Sequence, residues 1–196
     1  MGVFETMHIS KPHHVRYART SHTLALGLFV GLLTAAAAPA QADHPAEAKP
    51  LAGKYKLAGS KADGIKVIDK AIEDGVAQMN MVKRIVVRKF LKEVGKRVIE
   101  SIEIALPRNR IVVKLDDREV SSKPGKTTKL GKDDGAAKVT QRFRGGKLEQ
   151  TFHTGAGTFK IVYQLVQGGA VLQRDVTLSH KWLEKPVRYR LLYKRR

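Results

Sequence analysis

The sequence contains no cysteine. In an oxidising compartment the chain would gain no disulfides, so its stability would have to come from packing. A closed metal site would have to combine histidines with carboxylates, because thiolate ligands are missing. The lack of cysteine also excludes lipid attachment of the bacterial lipoprotein kind.

Histidine is scarce in the chain after residue 42, where only His44, His153 and His180 occur. These three residues lie far apart in the sequence. Neither His-x-x-x-His nor Glu-x-x-His, the helical spacings typical of metal ligands, occurs in this part of the chain. We therefore predict that the protein has no metal site and no cofactor.

Motifs for nucleophilic catalysis and phosphate binding are also missing. No serine stands in a Gly-x-Ser-x-Gly pattern. Ser179 and His180 are neighbours that point to alternate sides of a strand, so they do not form a nucleophile and its base. The glycines at positions 53, 59 and 64 are too widely spaced for a phosphate-binding loop. The sequence therefore predicts that the protein is not an enzyme.

The first 42 residues have the features of a cleavable secretory signal peptide. Residues 23–38 are apolar, and Ala40 and Ala42 place small residues at the two positions that a signal peptidase inspects. An N-terminal membrane anchor is the alternative, because the uncharged run is close to the lower length limit for a spanning helix. Three basic residues precede the apolar stretch: Lys11, Arg16 and Arg19.

Cleavage after Ala42 would leave a linker at residues 43–52 and one domain at residues 53–196, which is long enough to bury a core. The removed segment carries a net charge of +2, so the remaining chain keeps +17 of the total +19. No later stretch is apolar enough to span a bilayer. We expect an exported protein, periplasmic or extracellular, that is attracted to anionic lipid, polysaccharide or nucleic acid.

Residues 61–97 have a helical period. Ile65, Ile68, Ile72 and Val76 recur at helical spacing, and a break follows at residues 78–80. The next helix is predicted to have one apolar side and one basic side. Its apolar side is expected to carry Val82, Ile85, Val86, Phe90, Leu91, Val94 and Val98, and its basic side Arg84, Arg88, Lys89, Lys92 and Lys96.

From residue 99 onward apolar residues alternate with polar ones, and turn residues recur roughly every eight to twelve positions. About nine strands are predicted here, after a first strand at residues 53–57. Short consecutive hairpins indicate an antiparallel meander, and closure into a barrel leaves no exposed edge. We therefore predict a mainly β fold, an up-and-down β-barrel of about ten strands with a helical pair inserted after the first strand.

Two motifs resemble those of lipocalins and intracellular fatty-acid-binding proteins. The strand Gly53-Lys-Tyr-Lys-Leu57 is similar to their opening Gly-x-Trp-x-Leu strand, and Gly146-Lys-Leu-Glu-Gln150 is similar to the Asp-Gly-Lys-Leu-x-Gln hairpin late in fatty-acid-binding proteins. The order of one strand, a helical pair and nine strands is also found in fatty-acid-binding proteins. The end of the chain, Pro186 to Tyr193, resembles secreted bacterial proteins of unassigned role. The resemblance implies a calycin-type barrel that binds a small apolar ligand.

The C-terminal strand departs from the fatty-acid-binding proteins. Their Arg-x-Tyr pair, which holds the ligand carboxylate, is absent in that spacing. Alternation places Arg188 and Arg190 opposite the apolar residues of this strand, so both are expected to face water. The carboxylate clamp of the family therefore cannot be transferred to this chain.

Arg174 is predicted to lie on the apolar side of its strand. A guanidinium on an inward face must be paired, because a lone buried charge costs several kcal/mol. In the functional interpretation its partner is the carboxylate of a ligand. The alternatives are a bulge that turns Arg174 outward or a structural pair with a carboxylate such as Glu100 or Glu119.

The residues predicted to surround a ligand lie on one inner face of the sheet. For Gln141 and Gln150 the alternative is hydrogen bonding to the backbone near a barrel mouth. The predicted ligand-contacting residues are Arg174, Gln141, Gln150, Phe152, Phe159 and Tyr163, and the rest of this face comprises Leu148, Ile161, Leu172, Val176 and Leu178.

The function predicted from these features is that of an exported binding or carrier protein for a small apolar, fatty-acid-like ligand. The basic helical face is predicted to contact anionic membrane, although it is equally consistent with a solvated surface. The alternative function is that of a basic cell-envelope or polyanion-binding protein with a filled barrel. Nucleic-acid binding by stacking is disfavoured, because Phe152, Phe159 and Tyr163 are expected on inner faces.

Overall fold

The computed structural model describes residues 46–95, 98–131, 137–155 and 157–196. The predicted signal peptide at residues 1–42 lies outside the described residues, as do residues 43–45 of the predicted linker. The described part contains two α-helices and ten strands, with a 3-10 helix at each of Ala46–Leu51 and Gln167–Gly169. The elements are β1 (Gly53–Leu57), α1 (Lys61–Val76), α2 (Met81–Gly95), β2 (Ser101–Ala105), β3 (Ile111–Leu115), β4 (Arg118–Ser122), β5 (Thr127–Leu130), β6 (Ala137–Arg144), β7 (Lys147–Thr154), β8 (Gly157–Val166), β9 (Val171–Ser179) and β10 (Val187–Arg195).

The ten strands form one antiparallel sheet in the order β4-β3-β2-β1-β10-β9-β8-β7-β6-β5. The first strand pairs with the last, since Tyr55 lies opposite Arg195 and Leu57 opposite Tyr193. The sheet therefore curls into a barrel that is closed except between β4 and β5. The predicted ten-stranded barrel, with a helical pair after the first strand, is confirmed.

One end of the gap between β4 and β5 is bridged by contacts to β6. The Ser122 hydroxyl donates to Gln141 Oε1 at 2.6 Å, and the Gly125 N–H donates to the Gln141 carbonyl oxygen at 2.7 Å. These contacts tie the chain after β4 to β6 where the strand ladder is interrupted.

Alternation of side chains along the strands places the core inside the barrel. In β10, Val187 and Tyr193 are among the buried residues, whereas Arg188 and Arg190 are exposed, as the sequence predicted. The apolar residues of the inner face predicted for β7 to β9 are buried or pack against the core.

The segment predicted as a linker is part of the domain instead. Ala48 and Leu51 of the first 3-10 helix are buried, and the Tyr55 hydroxyl donates to the Leu51 carbonyl at 2.8 Å. Arg195 Nη2 donates to the carbonyls of Pro50 and Ala52 at 3.0 and 2.6 Å. Residues 46–51 of the predicted linker thus form a short helix whose buried side chains, Ala48 and Leu51, lie at the end of the barrel opposite the helices.

Helix α1 packs tightly against the barrel. Its N-cap is Ser60, whose hydroxyl oxygen accepts the Asp63 N–H at 3.1 Å. The predicted stripe is buried at Ile68, Ile72 and Val76. A Cβ at Gly75 would overlap the Val187 side chain, so this glycine permits the close approach of α1 to β10.

Helix α2 is turned differently from the prediction. Val87 and Leu91 are buried, but Val82, Ile85 and Val86, which were expected on the apolar buried side, are exposed by 76%, 59% and 47%. The predicted assignment of its buried side is therefore wrong at these three positions. Of the remaining residues assigned to that side, Val98 is buried beyond the helix, while the side chains of Phe90 and Val94 lie outside the description.

The predicted basic face of α2 is also different. Arg84 Nη2 donates to the Ala77 carbonyl and, at 2.9 Å, to the Met79 carbonyl, and Arg88 pairs with Glu73. Both arginines are turned toward α1 because the end of that helix offers carbonyl oxygens and a carboxylate. Lys89 remains exposed, while the side chain of Lys92 and all of Lys96 lie outside the described residues.

Neither α-helix in the described ranges combines the length and the apolar character that crossing a membrane requires.

Candidate functional site

Arg174 lies on the inner face of the barrel and is only 4% exposed. The strand pairing around it is unbroken: Tyr163 of β8 lies directly opposite on one side and Leu191 of β10 on the other. This excludes the outward bulge considered from the sequence. In the described structure neither of the carboxylates considered there forms an ion pair with Arg174: Glu100 accepts a hydrogen bond from Lys61 at 2.8 Å, and Glu119 has the outward phase of β4 and lies opposite Lys114 in strand register.

The Arg174 guanidinium is buried, and part of its hydrogen-bonding capacity is unused within the described structure. Its Nε and Nη1 atoms have no hydrogen-bond partner among the described residues. Burial alone would lower the pKa of Arg174, but the surrounding Tyr163, Tyr189 and Tyr193 raise it, and the net direction is upward. Since arginine is already protonated at every physiological pH, the side chain is a buried permanent cation.

Tyr163 lies directly beside the Arg174 cation on the neighbouring strand. Its hydroxyl donates to Gln150 Oε1 at 2.9 Å. Burial raises the pKa of Tyr163, and the nearby Arg174 lowers it by less, so the phenol is neutral. Tyr163 therefore acts on Arg174 as a neutral phenol within hydrogen-bonding reach, and not as a negative charge.

Gln141 and Gln150 form a matched pair on neighbouring strands. They lie directly opposite each other on β6 and β7, and both are fully buried. Each side-chain oxygen accepts a hydroxyl, from Ser122 in one case and from Tyr163 in the other. Within the ranges that the structure describes, the two Nε2 atoms have no hydrogen-bond partner. The partners found are thus side chains, not the backbone groups that the alternative interpretation expected.

The barrel interior is short of hydrogen-bond acceptors. Four buried side-chain nitrogens on its described strands lack a partner: Arg174 Nε and Nη1, Gln141 Nε2 and Gln150 Nε2. No buried side-chain oxygen on the described strands lacks one. Buried polar groups in proteins are normally satisfied, so this imbalance favours an acceptor-rich guest such as an anion.

A cavity of about 680 Å³ reaches Arg174 from the helical end of the barrel. This volume lies within the range of small-molecule sites. Of the residues predicted to contact a ligand, Arg174, Phe152 and Phe159 line it, whereas Gln141, Gln150 and Tyr163 are absent from the lining described. The remaining lining residues are Ile99, Leu115, Arg118, Glu119, Val120, Leu130, Gly131, Ala137, Thr154, Ile161 and Tyr189.

Arg118 lines the mouth of the cavity and was not predicted as a site residue from the sequence. Arg118 is the first residue of β4 and has the same strand phase as the buried Val120 and Ser122. This alternation could have identified it, but its position directly after the Asp116-Asp117 turn hid the start of the strand.

In the part of the chain that the structure describes, no group of three or more histidine, aspartate or glutamate side chains could hold a metal ion.

The strand order and the inserted helices define a lipocalin or fatty-acid-binding type of barrel, the fold that the sequence predicted. No protein-family model and no curated protein matches the chain. Solved structures similar to it are barrels of this type. Fatty-acid-binding protein 1 of Echinococcus granulosus is 14% identical, with a TM-score of 0.47 over 75% of this chain and 98% of that chain.

Two other solved structures show a comparable similarity. The fatty acid binding protein of Schistosoma mansoni, in complex with arachidonic acid, is 17% identical, with a TM-score of 0.47 over 76% of this chain and 98% of that chain. Secretory abundant heat soluble protein 4 of Ramazzottius varieornatus is 14% identical, with a TM-score of 0.49 over 76% and 96%. These similarities concern the barrel fold and not individual site residues.

Proposed function

We propose that this protein is an exported, non-enzymatic carrier that holds one small apolar anion inside its barrel. The observation that carries the proposal is Arg174, a buried cation at the 680 Å³ cavity with two guanidinium nitrogens that have no hydrogen-bond partner in the described part of the chain. A carboxylate accepts charge-assisted hydrogen bonds from such a group, which offsets the cost of burying it.

A fatty acid is the ligand class that meets both requirements of the site. Its chain would lie against Phe152, Phe159 and Ile161, and each buried CH₂ contributes about 0.8 kcal/mol. Its carboxylate would accept from Arg174. The size of the cavity favours this function over the alternative of a structural or polyanion-binding protein with a filled barrel.

Titration with a fluorescent fatty acid and the matching fatty alcohol tests the carrier function. Because a hydrogen bond to a charged group contributes about 1.5–3 kcal/mol, Arg174→Leu should weaken the acid at least about tenfold and leave the alcohol unchanged. The exposed Arg188, substituted to Leu, is the matched control and should change neither affinity. Equal affinities of the acid and the alcohol for both wild-type protein and Arg174→Leu, or no binding of either ligand, would contradict the proposal.

We further propose that the helical end of the barrel contacts anionic membrane, through a surface different from the one first predicted. Four apolar side chains of α2, which we call the α2 strip, point into solvent: Met81, Val82, Ile85 and Val86, with exposures of 77%, 76%, 59% and 47%. Exposed apolar groups this close together mark an interaction surface.

The surroundings of the α2 strip favour a lipid surface as its partner. The exposed Lys83 and Lys89 lie on the same helix, and Trp182, 42% exposed, lies in the β9–β10 loop at the same end of the barrel. Apolar side chains that enter the head-group boundary, with lysines beside them, are typical of helices that bind anionic membranes. The cavity opens at this end, so a docked carrier could exchange its ligand with the bilayer. Vesicle co-sedimentation tests the contact.

A further inference from the structure

We propose that the cavity selects ligands with an anionic group at each end, that is, α,ω-dicarboxylates, because Arg118 at its mouth complements Arg174 in its interior. This inference rests on the proposed carrier function and specifies the ligand class. In the lining described, these two arginines are the only cationic residues.

The position of Arg118 follows from strand pairing. Arg118 lies opposite Leu115, and the next two residues of the same phase, Val120 and Ser122, lie opposite the buried Val113 and Ile111. Arg118 therefore belongs to the inward-facing set of β4, at the rim. In the sheet order, β4 and β9 are five places apart in a ring of ten, so Arg118 and Arg174 lie on opposite walls of the barrel.

The two arginines also differ in depth. Arg174 is buried in the interior at 4% exposure, whereas Arg118 is exposed at the start of β4, at the helical end. Because the two guanidinium groups belong to opposite walls and differ in burial, a ligand with one carboxylate is expected to use one of them. A chain with a carboxylate at each end could contact both, with its methylenes against Phe152, Phe159 and Ile161.

Arg118 is available for a ligand. It is exposed and makes no hydrogen bond or ion pair with another described residue. The adjacent Glu119 also lines the mouth, but it has the outward phase and faces Lys114 across β3 and β4. Lys114 lies opposite Glu119 in strand register, and Arg118 is the charged residue at the start of β4 that has the inward phase.

An apolar cavity with one buried cation would favour a monoacid, because the second carboxylate of a diacid would be desolvated without a partner. A preference for the diacid therefore requires a second cation. The affinities of monoacids and diacids are also expected to depend on chain length in different ways. Affinity for monoacids should rise with each added methylene, whereas affinity for diacids should peak at the length that joins the two arginines.

Isothermal titration of saturated monoacids and α,ω-diacids of matched carbon number tests this inference. At the optimal length, wild-type protein should bind the diacid about three- to tenfold more tightly than the monoacid, the range between an exposed ion pair and a charged hydrogen bond. Arg118→Gln should lower the ratio of diacid to monoacid affinity to about one. The exposed Arg188, substituted to Gln as a control, should retain it.

The outcomes separate this inference from the carrier function. If monoacids bind through Arg174 but diacids bind no more tightly, or if Arg118→Gln leaves the ratio unchanged, the two-ended ligand is refuted and the carrier stands. If no acid of any length binds, the carrier function itself fails. A diacid preference that Arg118→Gln removes supports both.

Discussion

Tyr163 of β8 lies directly opposite the buried cation Arg174 of β9, yet its hydroxyl hydrogen is donated to Gln150 Oε1 at 2.9 Å. The tyrosine thus supports a neighbouring amide, and it also lies within hydrogen-bonding reach of Arg174. The guanidinium nitrogens Nε and Nη1 still have no hydrogen-bond partner among the described residues. A similar arrangement occurs across the sheet gap, where Ser122 donates to the Gln141 side-chain oxygen and the Gln141 Nε2 has no partner in the described part of the chain. Because hydroxyl groups already donate to both amide oxygens, the side-chain groups that remain for a ligand in this region are N–H donors.

Tyr163→Phe is predicted to destabilise the protein more than it weakens ligand binding. The substitution keeps the ring but leaves the buried Gln150 oxygen unpaired, which typically costs about 1–3 kcal/mol of unfolding free energy. Tyr189→Phe is the control, since the Tyr189 hydroxyl has no hydrogen bond with a described residue. Urea denaturation of both variants gives the comparison. Equal stabilities would show that the bond to Gln150 contributes nothing, and a loss of fatty-acid affinity as large as that of Arg174→Leu would show that Tyr163 binds the ligand directly.

The strands could be predicted from the sequence because an alternation with a period of two residues indicates both where a strand lies and which of its sides is buried. In β10 the alternation of Val187 and Tyr189 with Arg188 and Arg190 left one choice of inner face, and the structure has that choice. Arg174 was placed inside by the same reasoning. What alternation could not show is whether the interior is filled, because this depends on the curvature of the whole sheet.

The buried side of helix α2 was predicted less accurately, for a physical reason. Periodicity shows which residues share a side of a helix, but not which side turns toward the protein when both have partners available. Arg84 donates to backbone carbonyl oxygens that follow α1, and Arg88 pairs with Glu73 of α1. Val87 and Leu91 provide the buried apolar contacts of α2. The apolar residues on the remaining side were left in solvent.

The 3-10 helix at Ala46–Leu51 is predicted to contribute to stability through Arg195. This side chain donates to the carbonyls of Pro50, in the helix, and Ala52, directly after it, and lies over the Tyr55 ring, with its Cζ 5.7 Å from the ring centroid. Arg195→Ala should lower the unfolding free energy by about 1.5–3 kcal/mol, the range for charged hydrogen bonds. The neighbouring exposed Lys194, substituted to Ala, should have little effect. If thermal or urea denaturation shows the same small change for both variants, the helix is not held by Arg195.

Export is predicted to remove residues 1–42. Intact-mass analysis of the protein recovered from the periplasm or medium should show a chain that begins at Asp43, because Ala40 and Ala42 fit the cleavage site. Such a chain would retain Ala48 and Leu51, which are buried in the domain. Recovery of the full-length chain in a membrane fraction would instead indicate an uncleaved anchor.

Membrane contact is predicted to depend on the α2 strip and not on Arg84 and Arg88. Substitution of both Val82 and Ile85 by serine removes two exposed apolar side chains without touching the core, and should weaken binding to anionic vesicles at least about tenfold, given about 1.5–3 kcal/mol for burying each such group fully. Leu192→Ser, at an exposed apolar position on the outside of β10, is the control and should bind as wild type does.

Added salt should also weaken the binding of wild-type protein to anionic vesicles, since the lysine contribution is screened beyond about 8 Å at physiological ionic strength. Size-exclusion chromatography of the same proteins distinguishes a bilayer from a second copy of the chain: a wild-type dimer that the double substitution converts to a monomer, with vesicle binding unchanged, would assign the α2 strip to self-association and refute the membrane contact.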